Sequence, residues 1–342
     1  MVTLKEIADI VGVSISTVSR VLNNDTSRSV GEQTRKKILE VAEELEYRPN
    51  AWAQKLVKGS REGSQTIGKI GCIISVPYAQ FSYPYFTEIL KGIESALSKR
   101  KSSLSFVHTI DELRDPEVLK KFITETKVDG IILVGSIIQD LYKIIKDNSR
   151  AVVGIDVNDV TIPTVSTDRQ HASKAAVEHL LSKGHQKIGF IGGVGISGDI
   201  TREKRFRGYR DAHLNAGIEI NPNRIINAEW QIENCYKLMS RFIDEQKDDL
   251  PTAMFIASDV MAISAMRAAA DKGLKIPEDL AFFGFDNIEI SKYTAPPLST
   301  IHIPKIEIGE MAANVLFDYM EERYVVPMRI LLPYELCIRQ ST

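Results

Sequence analysis

The stretch VTLKEIADIVGVSISTVSRVLN, residues 2–23, decides how the rest of the chain is read. Leu4, Ile7, Ala8 and Val11 recur at helical spacing. Gly12 breaks that run, where a tight turn needs a positive φ. Ser14 is placed to cap a second helix whose apolar face is Val18, Val21 and Leu22. Two short helices about a glycine turn follow helix–turn–helix grammar. The opposite face carries Ile15, Ser16, Thr17, Ser19, Arg20 and Asn23. Short hydroxyls and an amide reach phosphates, and an arginine can donate twice to one guanine in the major groove. The competing reading is an amphipathic hairpin that merely caps another domain.

The same stretch, followed by YRPNAWAQKL, resembles the amino terminus of the lactose-repressor (LacI/GalR) family. The resemblance continues through VEHLLSKGHQKIGFIGG, PTAMFIASDVMAISAMRAAADKGLKIPEDLAFFGFDN and PPLSTIHIP, and so spans essentially the whole chain. It implies an α/β protein with three parts. These are a three-helix DNA-binding domain over 1–48, a hinge helix and linker over 49–65, and a two-lobed, periplasmic-binding-protein-like core of doubly wound parallel sheets over 66–342. Lobe 1 is expected at about 66–164 and 297–327, and lobe 2 at about 165–296 and 328–342. Crossings are placed near Thr164, Pro296 and Pro327. The implied activity is transcriptional repression by a homodimer that binds double-stranded operator DNA and answers to a small effector. The candidate DNA contacts are Thr3, Leu4, Ser14, Ile15, Ser16, Thr17, Ser19, Arg20, Asn23, Asn50, Ala53 and Leu56.

Composition bounds the alternatives. A chain of 342 residues, 44% apolar and 26% charged, suits two or three globular domains. No apolar run reaches membrane-spanning length, and the start MVTLKEIADI does not read as a signal peptide. Cys72, Cys235 and Cys337 are isolated, without metal or redox spacing, and read as reduced thiols. The expected location is the cytoplasm, with no metal and no cofactor. Net charge is −2, and residues 1–60 hold nine Lys/Arg against eight Asp/Glu, a weak signal for nucleic acid.

After Asn23 a polar loop leads to a helix from about Gly31 to Glu46, with Ile38, Val41, Ala42 and Leu45 as its stripe. Tyr47-Arg48-Pro49 ends it. Asn50 to Lys58 makes about two helical turns, marginal in water, so this hinge is expected to fold on DNA. The resemblance favours Leu56 as a wedge between bases of the minor groove, with Ala53 small enough for two hinge helices to meet. The plain alternative is a flexible tether, and SREGSQ is linker-like. No heptad tail follows Arg339, which predicts dimers and not tetramers.

From Ile67 onward, strands and helices alternate, as βαβ units of a parallel sheet do, and the alternation restarts after Thr164. Ligands of such sheets bind at the carboxyl ends of the strands. Reading those ends gives Tyr83, Tyr85, Phe86, Asp156, Asp199, Thr201, Arg205, Trp230, Ser258, Phe285 and Asp286. Carboxylates, a guanidinium and a hydroxyl bracket hydroxyl pairs, and aromatic faces stack on a pyranose ring. A small sugar is therefore expected. The resemblance places Arg205, Trp230 and Asp286 on effector positions, and the DITREKRF and IASDVMAISAMRAA stretches lean towards galactose or β-galactosides. Each residue also has a plain reading, such as Asp259 capping its helix and Tyr85 and Phe86 filling the core. Family members that answer to a phosphocarrier protein or to a purine corepressor supply alternatives on the same fold.

One motif points elsewhere. Gly193, Gly195 and Gly198 spell GxGxxG after a strand, the fingerprint of a nucleotide-dependent oxidoreductase. Asp199 follows where a pyrophosphate tolerates no carboxylate, and no catalytic His/Lys/Arg set accompanies it. An enzyme is therefore disfavoured. No HExxH or GxSxG is present.

Overall fold

The computed structural model describes residues 4–22, 30–45, 68–76, 78–194, 198–247, 249–324 and 326–342. The chain separates into two compact units, residues 1–67 and 68–342. The first holds α1 (Leu4–Val11), α2 (Ile15–Leu22) and α3 (Glu32–Glu44). Gly12 has φ +76°, and its N–H and that of Val13 both donate to the Ala8 carbonyl, so the glycine turn closes α1. Ser14 Oγ accepts the Thr17 N–H at 3.2 Å and caps α2. The apolar stripes meet in one small core of Ile7, Ala8, Val18, Val21, Ile38, Val41 and Ala42.

In the second unit, apolar runs flanked by helices become parallel strands, buried in the middle of the sheet and partly exposed at its edges. These are β1 (Ile70–Ile74), β2 (Leu104–Thr109), β3 (Gly130–Val134), β4 (Val152–Ile155), β5 (Thr164–Thr167) and β11 (Arg329–Leu332). They form one parallel sheet in the order β11-β5-β4-β3-β1-β2. Its helices include α4 (Pro84–Lys99), α5 (Pro116–Thr126), α6 (Gln139–Asn148) and α11 (Lys305–Met320). α4 and α11 pack closely at paired glycines. A Cβ on Gly92 would lie 2.0 Å from the Ile306 carbonyl oxygen, and one on Gly309 would lie 2.2 Å from that of Ile89.

The second lobe is a parallel sheet of β6 (Ile188–Gly192), β7 (Ile225–Asn227), β8 (Ala253–Ile256) and β9 (Ala281–Phe283), ordered β7-β6-β8-β9. Its helices are α7 (Arg169–Ser182), α8 (Lys204–Asn215), α9 (Ile232–Glu245) and α10 (Asp259–Asp271). A short antiparallel ribbon of β10 (Thr300–His302) and β12 (Glu335–Cys337) runs between the lobes' segments, and bridges at Phe283–Ser299 and Asp286–His302 tie it to the second.

The lobe boundaries differ from the sequence expectation in detail. β5 and β11 both belong to the first sheet, through Thr167 and Leu332, where the expectation crosses at Thr164 and Pro327. Proline and polar punctuation marked the loops before these strands, not the strands' own pairing partners.

Candidate ligand cleft and DNA-contact face

In the first unit, Ile15 is half exposed and Ser16 is open to solvent on α2. Ser14 Oγ lies 2.8 Å from both the Ser16 and Thr17 hydroxyls, so three candidate contacts form one linked hydroxyl cluster. Arg20 is partly exposed one turn further on. Thr3, Asn23, Asn50, Ala53 and Leu56 lie outside the described residues, as do the side chains of Leu4 and Ser19.

In the second unit the carboxyl ends of both sheets bring most of the predicted cleft residues together. Asp156 follows β4 with φ +59°, Trp230 follows β7 with φ +60°, and Asp286 follows β9 with φ +109°. Three non-glycine residues in the left-handed region mark sites where surrounding contacts hold the backbone against its preference. Gly193 makes room for one of them, since a Cβ there would sit 2.5 Å from the Trp230 indole.

Arg205 is the centre of the second lobe's half. Its guanidinium lies 4.7 Å from the Phe285 ring centroid and 5.0 Å from that of Trp230. Glu203 Oε1 accepts from its Nη1 at 2.7 Å, and the pair is about nine-tenths buried. Glu203 Oε2 also accepts the Arg205 and Phe206 N–H groups, capping α8. Among the described residues, Arg205 Nε and Asp286 Oδ1 are buried without a hydrogen-bond partner. Burial pushes the Asp286 carboxyl up to about 6, against the pull of Arg205, Arg169 and Lys305.

From the first lobe, Tyr85 donates to Asp156 Oδ2 at 2.6 Å. Arg169, the first residue of α7 after the chain has crossed, donates to the same Oδ2 and to the Tyr85 hydroxyl. Burial would lower the Arg169 pKa, but Asp156, Tyr85, Asp286 and Glu203 outweigh it and hold the guanidinium charged. Burial likewise raises the Tyr85 phenol. Asp156 Oδ1 and Arg169 Nε remain buried and unpartnered among the described residues. Phe86 stands edge-on to Tyr85 at 5.2 Å. Two more contacts join the lobes: Tyr83 with the Ile232 backbone, and Gln80 Nε2 with the Trp230 carbonyl at 3.4 Å.

Two charged side chains behind the cleft fix its floor. Asp259 is fully buried; Oδ2 accepts the Ile288 N–H at 2.9 Å and Oδ1 the Thr300 hydroxyl at 2.6 Å. Burial, with Asp286 nearby, raises its carboxyl to about 8. Lys305, 2% exposed, donates to the Asp286 carbonyl and lies 3.3 Å from Glu88. Ser258 is buried at the start of α10.

Asp199 and Thr201 are placed differently from the expectation. Asp199 Oδ1 accepts from the Thr201 N–H and hydroxyl at 2.9 and 2.8 Å, which makes them a local cap on an exposed turn. The sequence reading also omitted Arg169, Glu203, Lys204 and Lys305. In the glycine motif, residues 195–197 lie outside the described residues. The helix beyond it, α8, has its amino end occupied by the Glu203 carboxylate, which is where a pyrophosphate would have to sit. In a second hollow in the first lobe, between α6 and the loop after β4, Tyr142 and Lys146 pair with Asp159.

A helix–turn–helix unit joined to a two-lobed core with convergent polar groups is the build of a ligand-controlled DNA-binding regulator. Residues 3–50 match the bacterial regulatory proteins, lacI family, and residues 177–342 match a periplasmic binding protein-like domain. The HTH-type transcriptional repressor PurR of Haemophilus influenzae (strain PittEE) is 33% identical over 100% of this chain and 98% of its own length. The probable HTH-type transcriptional repressor ExuR of Bacillus subtilis (strain 168) is 34% identical over the same shares. Among solved structures, a transcriptional regulator CelR–cellobiose complex matches with TM-score 0.73 and 25% identity over 100% of both chains. The lac repressor dimer bound to operator and the anti-inducer ONPF matches with TM-score 0.69 and 25% identity, over 99% of this chain and 98% of that one. The chain belongs to the lacI family and is a DNA-binding transcriptional repressor of that family. These relatives carry the names of repressors, not of enzymes.

Proposed function

We propose that this repressor acts as a cytoplasmic homodimer on the operator of a sugar-utilisation operon and is released by a small sugar held between its lobes. The observation that carries the reading is the cleft's set of unmet polar atoms. Asp156 Oδ1, Arg205 Nε and Asp286 Oδ1 are buried without partners, beside the faces of Trp230 and Phe285. Buried polar atoms are nearly always satisfied, so such a cluster is what a polyhydroxylated ligand completes. The likeness to a cellobiose-bound regulator supports a carbohydrate, and the family motifs lean towards the galactose series. Two α2 helices read half-sites of a near-palindrome, and Leu56 of each hinge wedges the minor groove between them. Sugar binding changes the relation of the lobes and lowers operator affinity, a coupling of typically about 1–3 kcal/mol.

The test is fluorescence anisotropy on duplexes selected from a random pool, with and without sugars and purines. Tight binding that one sugar weakens supports the reading. Binding that only a purine strengthens makes the protein corepressed, and no selected duplex at all sinks the operator assignment. A phosphocarrier partner would show as a change that needs a second protein.

A further inference from the structure

Lys204, the first residue of α8 and the neighbour of Arg205, sits half-buried with no hydrogen bond or ion pair among the described residues. Burial lowers its pKa, and of the charged groups that act on it three are cations: Arg169, Arg205 and Arg329. Asp156, the carboxylate that acts on it, already accepts from Arg169 and from Tyr85 through Oδ2. Arg205 is likewise satisfied in charge by Glu203. The Asp156 end of the cleft therefore holds a local surplus of positive charge.

Half-burying an ammonium beside three guanidinium groups is unfavourable without an anion to offset it. A neutral ligand that excluded water here would make the imbalance worse. We propose that the effector is an anionic sugar, a hexose bearing a carboxylate or a phosphate. Its anion is taken by Lys204 together with Arg169, and its ring lies towards Arg205, Asp286 and Trp230. The inference rests on the sugar-effector reading above and narrows it. The bare Nε of Arg169 and the bare Oδ1 of Asp156 sit at the same end, where the first donates to an anionic oxygen and the second accepts from a ring hydroxyl.

The test is calorimetric titration of the full chain with galactose and glucose, each as the neutral hexose, the uronate and the 6-phosphate, alongside guanine and hypoxanthine. One anionic form should bind at least about tenfold more tightly than its neutral parent, as a charge-assisted contact implies. That preference should shrink as sodium chloride rises. A uronate-only or phosphate-only response identifies the anion. Lys204→Met should weaken the anion about tenfold, narrow the gap to the neutral sugar, and leave the ligand-free melting temperature unchanged or raised. A neutral hexose that binds as tightly as its anionic forms overturns this inference and leaves the sugar reading standing. Purine binding alone overturns both. Failure of every anion to bind overturns the inference. A Lys204→Met variant that melts lower yet keeps full anion affinity makes Lys204 a structural partner of Asp156, which overturns it as well.

Discussion

Arg205→Met separates the structural role of the cleft guanidinium from its role with ligand. Met keeps the methylene bulk between Trp230 and Phe285 and removes only the charge and donors. What it leaves is Glu203, about 10% exposed at its side chain, with no cation against it. Removing one partner of a buried ion pair costs about 3–5 kcal/mol, because the orphaned charge stays desolvated. Glu203 keeps its two backbone N–H donors at 2.7 and 3.0 Å, which places the expected loss at the low end, about 3 kcal/mol. For a unit of this size that is a fall of roughly 6–12 °C in melting temperature, read by differential scanning fluorimetry and by urea unfolding at constant m. The double variant Glu203→Gln/Arg205→Met should recover a third or more of the loss, since Gln can still cap α8 and carries no charge. Effector affinity should stay low in both variants. A single variant that melts within about 2 °C of the parent, or a double variant with no recovery, refutes the claim that this pair is a buried, mutually dependent unit.

The remaining expectations use other parts of the molecule. Asp286 ionises with a pKa near 6, so if ligand hydroxyls donate to its carboxylate, the dissociation constant should rise by up to about tenfold per pH unit below 6 and level off above 7. Asp286→Asn should bind weakly with a flat pH profile; a wild-type profile flat from pH 5 to 8 rules out the carboxylate as acceptor. Both Asp286 and Asp259 hold protons in the folded state that the unfolded chain releases nearer pH 4. Their contribution therefore makes the ligand-free core less stable as pH rises from about 4 to about 6 and 8, respectively. Asp259→Ala strands the Ile288 N–H and the Thr300 hydroxyl and should cost about 2–4 kcal/mol in urea unfolding, while Asp259→Asn, which can serve both, should cost under half of that. Arg20→Ala should abolish discrimination between operator and random duplex, a loss of about 1–3 kcal/mol, with α2 still helical by circular dichroism; retained discrimination moves base reading off α2.

Local pattern made much of this fold legible. The α1–α2 turn was readable because each piece of it is local: the Val11 stripe, the positive φ at Gly12 and the Ser14 cap lie within a dozen residues. Strand ends pointed to Asp156, Arg205, Trp230, Phe285 and Asp286, which the structure gathers at the carboxyl edges of the sheets, because a parallel sheet delivers those positions to one edge. Arg169 was missed for the opposite reason. Its partner Tyr85 is 84 positions away, and in sequence Arg169 is only a charge after the Asp168 cap. Lys305 begins a helix whose periodicity is blurred, because α11 buries Ile308, Gly309, Ala312, Ala313, Val315, Leu316 and Phe317 on more than one side. Asp199 and Thr201 have the composition of sugar ligands, but an Asx turn uses the same atoms, and at two residues' separation the local bond wins.

The contacts between the lobes constrain how a ligand can act. The lobes meet through Tyr85–Asp156–Arg169, through Gln80 and the Trp230 carbonyl, and through Tyr83 and the Ile232 backbone. A ligand that bound one lobe alone would leave this set unchanged and could not shift the equilibrium between arrangements, since only differential affinity does so. Asp156 and Arg169 sit on opposite sides of the first crossing, thirteen residues apart, and share one oxygen while the other stays bare. A ligand group that takes either partner must therefore weaken or re-aim the bond between the lobes. On the proposed reading, this pair would be the place where occupancy is converted into a change of lobe geometry. Arg205 and Glu203 both lie within the second lobe, so on the proposed reading they would hold the ligand from that lobe alone. Arg169→Met should accordingly reduce the difference in operator affinity between empty and loaded protein more than it reduces effector affinity itself, whereas Arg205→Met should do the reverse. Equal effects of the two variants on both quantities would remove the distinction between a gripping and a coupling arginine.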